Sequence, residues 1–464
     1  MMTAKVSKAR TLAYQVLSKV EQSGAFTNLA LQQVLRGKKV EPRDKALATE
    51  IIYGTIQRRR SLDALLQPYS SRSLSALDGT ARTLLRMTVY QLGFLDKVPA
   101  YAAIHEAVEL CKSNRPSAAG FVNGVLRAFS RDSKPVPQRL EEAVAAAPSW
   151  ADGLGILHSY PTWLVETLAK AYGEDRTVSM LAASNDRSHL SVRVNHLRTD
   201  RTTLLRQLSD ELQDSVFPSQ LSQDGLRLTK GLDVEAWKPY QQGLVTVQDE
   251  AAMLIAPLLQ VGEHAEILDM CAAPGTKTTH IAELQEDKGW ITAVDIHQHK
   301  LDLLEGASQR LGLHSIHTVA ADARALPQGV SGPAYDAILL DAPCSGLGVL
   351  RHRPDIRWKR TPEDVSSLRK LQIELLTSAA QLVRPGGIIV YSTCTLLPEE
   401  NEQVVAAVVA NEKSGLVWDD IRADLPEALR EYVPDGSSGL FITPDMYGTD
   451  GFYMARLKKV IGKE

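Results

Sequence analysis

The 464-residue chain is short of cysteine, with four, and of aromatic side chains, at 6%. Cys111, Cys271, Cys344 and Cys394 lie far apart and form no CxxC pair. That spacing argues against a disulfide framework or a structural zinc site and fits a reducing cytoplasm, with no metal expected. Long apolar runs are also missing. Stretches such as AAMLIAPLLQV fall well short of a bilayer span, so no membrane partner is expected. The opening MMTAKVSKAR has charge but no apolar segment behind it, unlike a secretory leader. What the chain does have is an apolar content of 44%, enough for a sizeable core, and a length that suggests two or three domains.

Net charge is only −3, but it is unevenly spread. Residues 1–130 carry 19 Lys+Arg against 9 Asp+Glu, and the remainder 33 against 46. A basic N-terminal part beside an acidic remainder fits contact with a polyanion, although a solvated basic face has the same composition.

The N-terminal 130 residues show helical spacing only. ARTLAYQVLSKV sets Leu12, Val16 and Val20 on one face, and DKALATEIIYGTIQRR and LLRMTVYQLGFL follow the same period. RDSKPVPQ (131–138) reads as a linker. HLSVRVNHL alternates like a strand, and TDRTTLLRQLSDEL reads as a helix capped by Thr199 or Asp200. The expected organisation is an all-α domain over 1–138, a small α+β module over 139–245 and an α/β domain over 246–464. In the last, AEILDMCAA, WITAVDI, SIHTVAAD, YDAILLDAP and GIIVYSTC are strand candidates. HQHKLDLLEGASQRL and PEDVSSLRKLQIELLTSAAQLV lie between them as helices. Such alternation implies a parallel, Rossmann-like sheet whose ligands bind beyond the carboxyl ends of the strands.

LDMCAAPGTKT (268–278) is a strand, a tight turn and a helix start. It is neither GxGxxG nor a P-loop. Pro274 and Gly275 form a turn that brings backbone N–H groups towards a ligand. Asp295 ends the next strand, where a carboxylate accepts hydrogen bonds from ribose hydroxyls. Asp322 ends the third, in reach of an adenine edge. Any one of these acids alone reads as a helix cap; three on successive strand ends favour a nucleoside. Without a phosphate loop, S-adenosylmethionine fits.

DAPCSGLGVL and YSTCTLLPEE set Cys344 and Cys394 after the fourth and fifth strands, on the cofactor side, with Asp341 between strand and turn. Buried structural thiols are the plain alternative. The pairing points instead to covalent chemistry on a pyrimidine. Carbon 5 of cytosine is a poor nucleophile until a thiolate adds to carbon 6. An acid group at N3, for which Asp341 is placed, promotes the addition, and a base must later remove the carbon 5 proton. The chemistry does not rank the two thiols.

DMCAAPGTKT, AVDIHQHKLDLL, YDAILLDAPCSGLGVLRHRPDIRW, YSTCTLLPEENEQVV and DGFYMARLKK resemble the RNA cytosine-C5 methyltransferases. ARTLAYQVLSKVEQSGAFTNLALQQVL, ALATEIIYGTIQRRRSLDALL and GFVNGVLRAF look like a NusB-type helical RNA-binding domain. Together they are similar to the bacterial Sun/Fmu (RsmB) family, which methylates one cytosine of small-subunit (16S) ribosomal RNA. The resemblance implies that Cys271, Ala272, Ala273, Pro274, Gly275, Thr276 and Lys277 bind S-adenosylmethionine. It implies that Asp295 holds the ribose, Asp322 lies at the adenine, and Asp341 borders cofactor and base. It makes Cys394 the nucleophile and Cys344 the thiol that assists product release. The family usually has glycine where Thr276 stands, which puts cofactor affinity in question.

RHRPDIRW adds Arg351, Arg353 and Arg357 beside Trp358, residues that can hold phosphates and stack on bases. The expected protein is a cytoplasmic, monomeric enzyme acting on ribosomal RNA and not on DNA. The competing readings are the same chemistry on transfer RNA, or a non-catalytic RNA-binding assembly factor.

Overall fold

The computed structural model describes residues 6–330, 332, 334–434 and 439–461. The chain divides into two compact units, one of residues 1–185 with 352–360, the other of 186–351 with 361–464. No helix among the described residues is long and apolar enough to cross a membrane.

The first unit is helical: α1 (Lys8–Ser23), α2 (Thr27–Leu35), α3 (Pro42–Gln57), α4 (Arg59–Leu66), α5 (Gly79–Phe94), α6 (Ala100–Asn114), α7 (Ala119–Arg131), α8 (Val136–Ala145), α9 (Trp150–His158), α10 (Thr162–Tyr172) and α11 (Glu174–Ala183). Ser7 and Asp78 cap α1 and α5 by accepting the N–H groups of Arg10 and Thr80. Leu12 and Val16 of α1 are buried with Ile51, Ile52, Leu84, Val122 and Leu126, as the 3.6-residue period requires.

Two expected boundaries differ. The linker shrinks to residues 132–135, because Pro137 lies in the first turn of α8, where its missing N–H costs nothing. Helices α8–α11 join the first unit rather than the small α+β module. Arg60 explains this: it donates to the Tyr160 carbonyl at 2.7 Å and pairs with Asp152 at 2.7 Å, while Ser61 donates to the Ile156 carbonyl.

Residues 352–360, with the short helix α17 (Ile356–Lys359), also belong to the helical unit. Asp355 accepts the Thr27 N–H at 2.9 Å, and the Trp358 indole donates to the Ile56 carbonyl at 2.8 Å.

The second unit opens with β1 (Leu190–Val194), α12 (Arg201–Leu212), β2 (Val216–Pro218), β3 (Gly225–Leu228), α13 (Lys238–Gln241), β4 (Val245–Val247) and α14 (Glu250–Met253). Its four strands form an antiparallel sheet in the order β2-β3-β1-β4. Of the two candidate caps for α12, Asp200 accepts the Thr203 N–H.

There follow β5 (Glu266–Asp269), α15 (Thr276–Leu284), β6 (Trp290–Asp295), α16 (Gln298–Leu311), β7 (Ile316–Ala320), β8 (Tyr335–Asp341), α18 (Pro362–Leu382), β9 (Val383–Thr393) and α19 (Glu402–Val409). All five expected strands are present. They lie parallel in the order β9-β8-β5-β6-β7. Three further strands, β10 (Leu416–Asp419), β11 (Gly439–Ile442) and β12 (Phe452–Lys459), add an antiparallel edge through β12 on β9. Strand order reverses between β5 and β8. The loops leaving those two strands therefore diverge and open a crevice at their carboxyl ends.

Candidate active site

The motifs carrying the glycine turn, Asp295 and the two cysteines lie at carboxyl ends of this parallel sheet. Beyond β5, residues 270–275 turn the chain into α15. The Met270 N–H bonds to the Leu339 carbonyl and that of Ala272 to Val294, so the turn is anchored on both neighbouring strands. Gly275 has φ +103°, and a Cβ there would lie 2.2 Å from Leu304 Cδ1. Only glycine fits.

Lys277 enters α15 with its side chain buried. Its Nζ lies 2.6 Å from Asp341 Oδ2 and 4.9 Å from the Phe452 ring centroid. Burial disfavours the ammonium, but the adjoining Asp341 carboxylate outweighs that and holds its pKa above the ordinary lysine value.

The second oxygen of Asp341 accepts the Ser392 hydroxyl of β9 at 2.7 Å. Cys344 and Cys394, fifty residues apart in the chain, lie with their sulfurs 3.4 Å apart, each half-buried. Their environments separate them. The hydrogen bond with Cys344 is the main influence lowering the Cys394 pKa. Lys277 adds to it, while burial and Asp341 oppose it. The same hydrogen bond, followed by burial, pushes Cys344 well above its usual value. When the pair gives up a proton, the negative charge is therefore favoured on Cys394 rather than Cys344. Burial, helped by Asp269, Asp341 and Asp295, pushes the Cys271 thiol well above its usual value.

Three residues that the motifs left unassigned hold the cysteine loops. Glu400, fully buried, accepts the Ser345 N–H at 2.8 Å and hydroxyl protons from Ser345 and Thr395. Gln372 bridges Glu400 and the Pro343 carbonyl. Asn401 bonds to the Thr393 hydroxyl and the Thr395 carbonyl. The signal was in the sequence, since YSTCTLLPEENE carries two of them just beyond Cys394, but nothing local says which acid turns inward. Gly348 closes the arrangement. Its N–H donates to the Cys394 carbonyl at 2.8 Å, and a Cβ would lie 2.1 Å from the Gly451 carbonyl oxygen.

A fourth, Arg193, comes from β1 of the small sheet. Completely buried, it donates to the Thr276 carbonyl at 2.8 Å, to Thr279 at 3.2 Å and to both oxygens of Glu283 at 2.9 and 3.1 Å. Arg193 also donates to Gln248 just beyond β4, and its other partners are all on α15, so it clamps the helix that carries Lys277.

The residues expected at the cofactor surround the same crevice. Asp295 ends β6. Its Oδ1 accepts the His297 N–H at 2.9 Å, while Oδ2 accepts no hydrogen bond among the described residues. A carboxylate oxygen left open at a strand end suits a ribose hydroxyl, so the donor set fits a nucleoside cofactor. Asp322 lies two residues beyond β7, and its carboxylate is engaged by Arg324 Nε and Nη2.

The group expected to contact RNA is not one surface. Arg357 is fully buried, 4.0 Å from the Tyr160 ring centroid, and donates to Ser159 and Asn185. Trp358 packs on the helical core. Arg351 donates to the Gly448 and Arg187 carbonyls. Only Arg353 is exposed. Basic and aromatic residues at close spacing read alike whether they face nucleic acid or fill a core, and here packing took Arg357 and Trp358.

The chain matches three family models: 16S rRNA methyltransferase RsmB/F over residues 256–458, the NusB family over 7–131, and the ferredoxin-like domain of RsmF/B-like methyltransferases over 160–235. It is 37% identical to the probable ribosomal RNA small subunit methyltransferase B of Bacillus subtilis, across 98% of this chain and 99% of that protein. It is 34% identical to the ribosomal RNA small subunit methyltransferase B of Pseudomonas syringae, across 98% of both. The crystal structure of PH0851 superposes with a TM-score of 0.80 at 24% identity, covering 97% of this chain and 98% of that one. NSun6 from Pyrococcus horikoshii, solved with SFG, superposes at 0.57 with 25% identity, covering 66% of this chain and all of that one. With a NusB-like helical domain, a ferredoxin-like sheet, a Rossmann-like methyltransferase sheet and this identity over nearly its full length, the chain belongs to the ribosomal RNA small subunit methyltransferase B family.

Proposed function

We propose that the chain methylates carbon 5 of a cytosine in small-subunit ribosomal RNA through a covalent adduct on Cys394. The observation that carries this reading is the 3.4 Å pair of sulfurs beside the Lys277–Asp341 ion pair. S-adenosylmethionine, when bound by the turn 271–277 and Asp295, supplies an electrophilic methyl group. Its identity as cofactor is supported by the family and by the SFG complex of the NSun6 relative.

Cys394 is the thiol biased towards thiolate, so it adds to carbon 6 of the ring. Negative charge then accumulates towards N3. Asp341 meets it with a proton drawn from the Lys277 ammonium 2.6 Å away. After transfer to carbon 5, a base removes the proton there, the electron pair of that C–H bond expels the Cys394 thiolate, and N3 returns its proton through Asp341 to Lys277. Cys344 is suited to assist at this stage only. While Cys394 carries charge, the Cys344 proton is held tightly. Once Cys394 is bonded to carbon, the main cause of that hold is gone and Cys344 can exchange its proton.

Cys394→Ala should abolish both methyl transfer and the adduct. Cys344→Ala should form the bond but fail to break it, leaving protein and RNA joined through denaturing electrophoresis. A trapped complex from Cys394→Ala and none from Cys344→Ala would reverse the two roles. Bisulfite sequencing of ribosomal and transfer RNA from a deletion strain tests the substrate: loss of one 16S signal is expected, and loss confined to transfer RNA overturns it.

A further inference from the structure

A trough of about 790 Å³ lies between α6 and α7 of the helical unit. Tyr101, on the first turn of α6, is 80% exposed. Its ring lies parallel to that of His105 one turn on, with an interplanar angle of 2° and centroids 5.9 Å apart. Lys112 on α6 and Arg127 and Arg131 on α7 line the trough with a single carboxylate, Glu109, which Lys112 already holds at 2.8 Å. Asn123 turns its amide oxygen to Arg127 Nε at 3.0 Å, which leaves the amide NH₂ group to face a ligand. A Cβ added at Gly120 meets nothing within 4 Å, so the wall formed by α7 stays open to a close approach.

The Tyr101 ring is free to stack on a planar ligand. Here it stands at one end of a row of cations. A single-stranded nucleic acid presents phosphates, a base face and a base edge together, and a cationic groove with an aromatic platform binds all three. An acidic peptide would satisfy the cations but would give the ring and the amide no matched partner.

We propose that the α6–α7 trough binds a single-stranded segment of RNA, with Tyr101 stacking on a base and Arg127 and Arg131 contacting successive phosphates. The two arginines are one helical turn apart, on the order of 5.4 Å along the axis. This site lies within the NusB-like region and rests on the reading of the chain as an RNA-modifying enzyme.

The test uses the full-length protein and a fluorescein-labelled oligouridylate carrying one 4-thiouridine. Tyr101→Ala should weaken binding about tenfold, the range expected for one lost base stack. Arg127→Gln with Arg131→Gln should flatten the slope of log affinity against log salt by about 1.4, from about 0.7 per lost phosphate contact on a single strand. All three positions are exposed, so melting by circular dichroism should be unchanged, and photo-crosslinks in the unaltered protein should map to Tyr101 or His105. Unchanged affinity and salt slope in both variants, or crosslinks confined to other segments, overturn the site. Methyl transfer to bulk ribosomal RNA is measured on the same preparations. Transfer by the unaltered protein together with unaffected binding by the variants refutes the trough alone. No transfer by the unaltered protein refutes the enzymatic reading, while the binding data still decide the trough.

Discussion

At the scale of single residues, the site depends on how burial and charge divide protons among neighbours. Lys277 favours the Cys394 thiolate by its charge. Lys277→Met should therefore move the pH midpoint for alkylation of Cys394 upward. Rates of iodoacetamide labelling, followed by peptide mass spectrometry, measure this, and an unmoved midpoint removes Lys277 from thiol activation. Asp269 tests the same physics by stability. It is fully buried below the crevice and accepts the Thr278 hydroxyl at 2.7 Å. Burial, aided by Asp341, pushes its carboxyl up to about 7. In the unfolded chain the value is about 3.9. Between those two pH values the folded protein keeps a proton that the unfolded chain has released. Stability contributed by this group therefore falls as pH rises through the window and is level above it. Asp269→Asn should remove that decline, on the order of a few kcal/mol, in urea titrations at pH 5 and pH 8. The acidic limb must be read above the pH at which the other carboxylates protonate.

Secondary-structure elements matter here as holders of loops. The two cysteine turns meet because Glu400 bonds to both, with Gln372 tying Glu400 to the Cys344 turn and Asn401 fixing the Cys394 turn, and because Gly348 lets the backbone of one touch that of the other. Glu400→Ala leaves buried donors unpaired and should cost roughly 3 kcal/mol or more. It should also remove the difference in alkylation rate between Cys344 and Cys394, whereas Glu400→Gln, which keeps several of the bonds, should retain part of it. Equal thiol reactivity in the unaltered protein would show that the turns are not held as described. Arg193 is the corresponding holder of α15. Arg193→Met strands the buried Glu283 carboxylate and should cost about 3–5 kcal/mol in chemical denaturation. A loss under 1 kcal/mol would mean that water enters and solvates Glu283, and that the clamp is weak.

On the scale of the whole molecule, the helical unit is larger than its basic N-terminal stretch. Residues 6–130 pack with 132–185 and with 352–360, where Trp358 rests on the helical core. Removing 1–130 should therefore expose apolar surface rather than release a clean fragment. The truncated chain should bind a hydrophobic dye and lose a cooperative melting transition. If it instead melts cooperatively with no dye bound, the later helices fold without the first seven.

Much of this protein is determined locally. Hydrophobic period separates the helical N-terminal part from the parallel sheet, and all five parallel strands lie where short apolar runs between helical segments put them. Strand-end acids and the glycine turn announce a nucleoside crevice, because a parallel sheet leaves its ligand groups at its carboxyl ends. Two cysteines at such ends are visible as chemistry from the sequence. Their ranking is not, since a thiol's proton affinity depends on neighbours that only folding supplies: Cys344 from fifty residues away, Lys277 from more than a hundred. The same limit made RHRPDIRW look like an RNA contact, when Arg357 and Trp358 complete a core with residues 198 and 302 positions earlier. It also hid Glu400 and Arg193. A charged residue reads as solvent-exposed until the tertiary structure buries it against partners that replace the lost water.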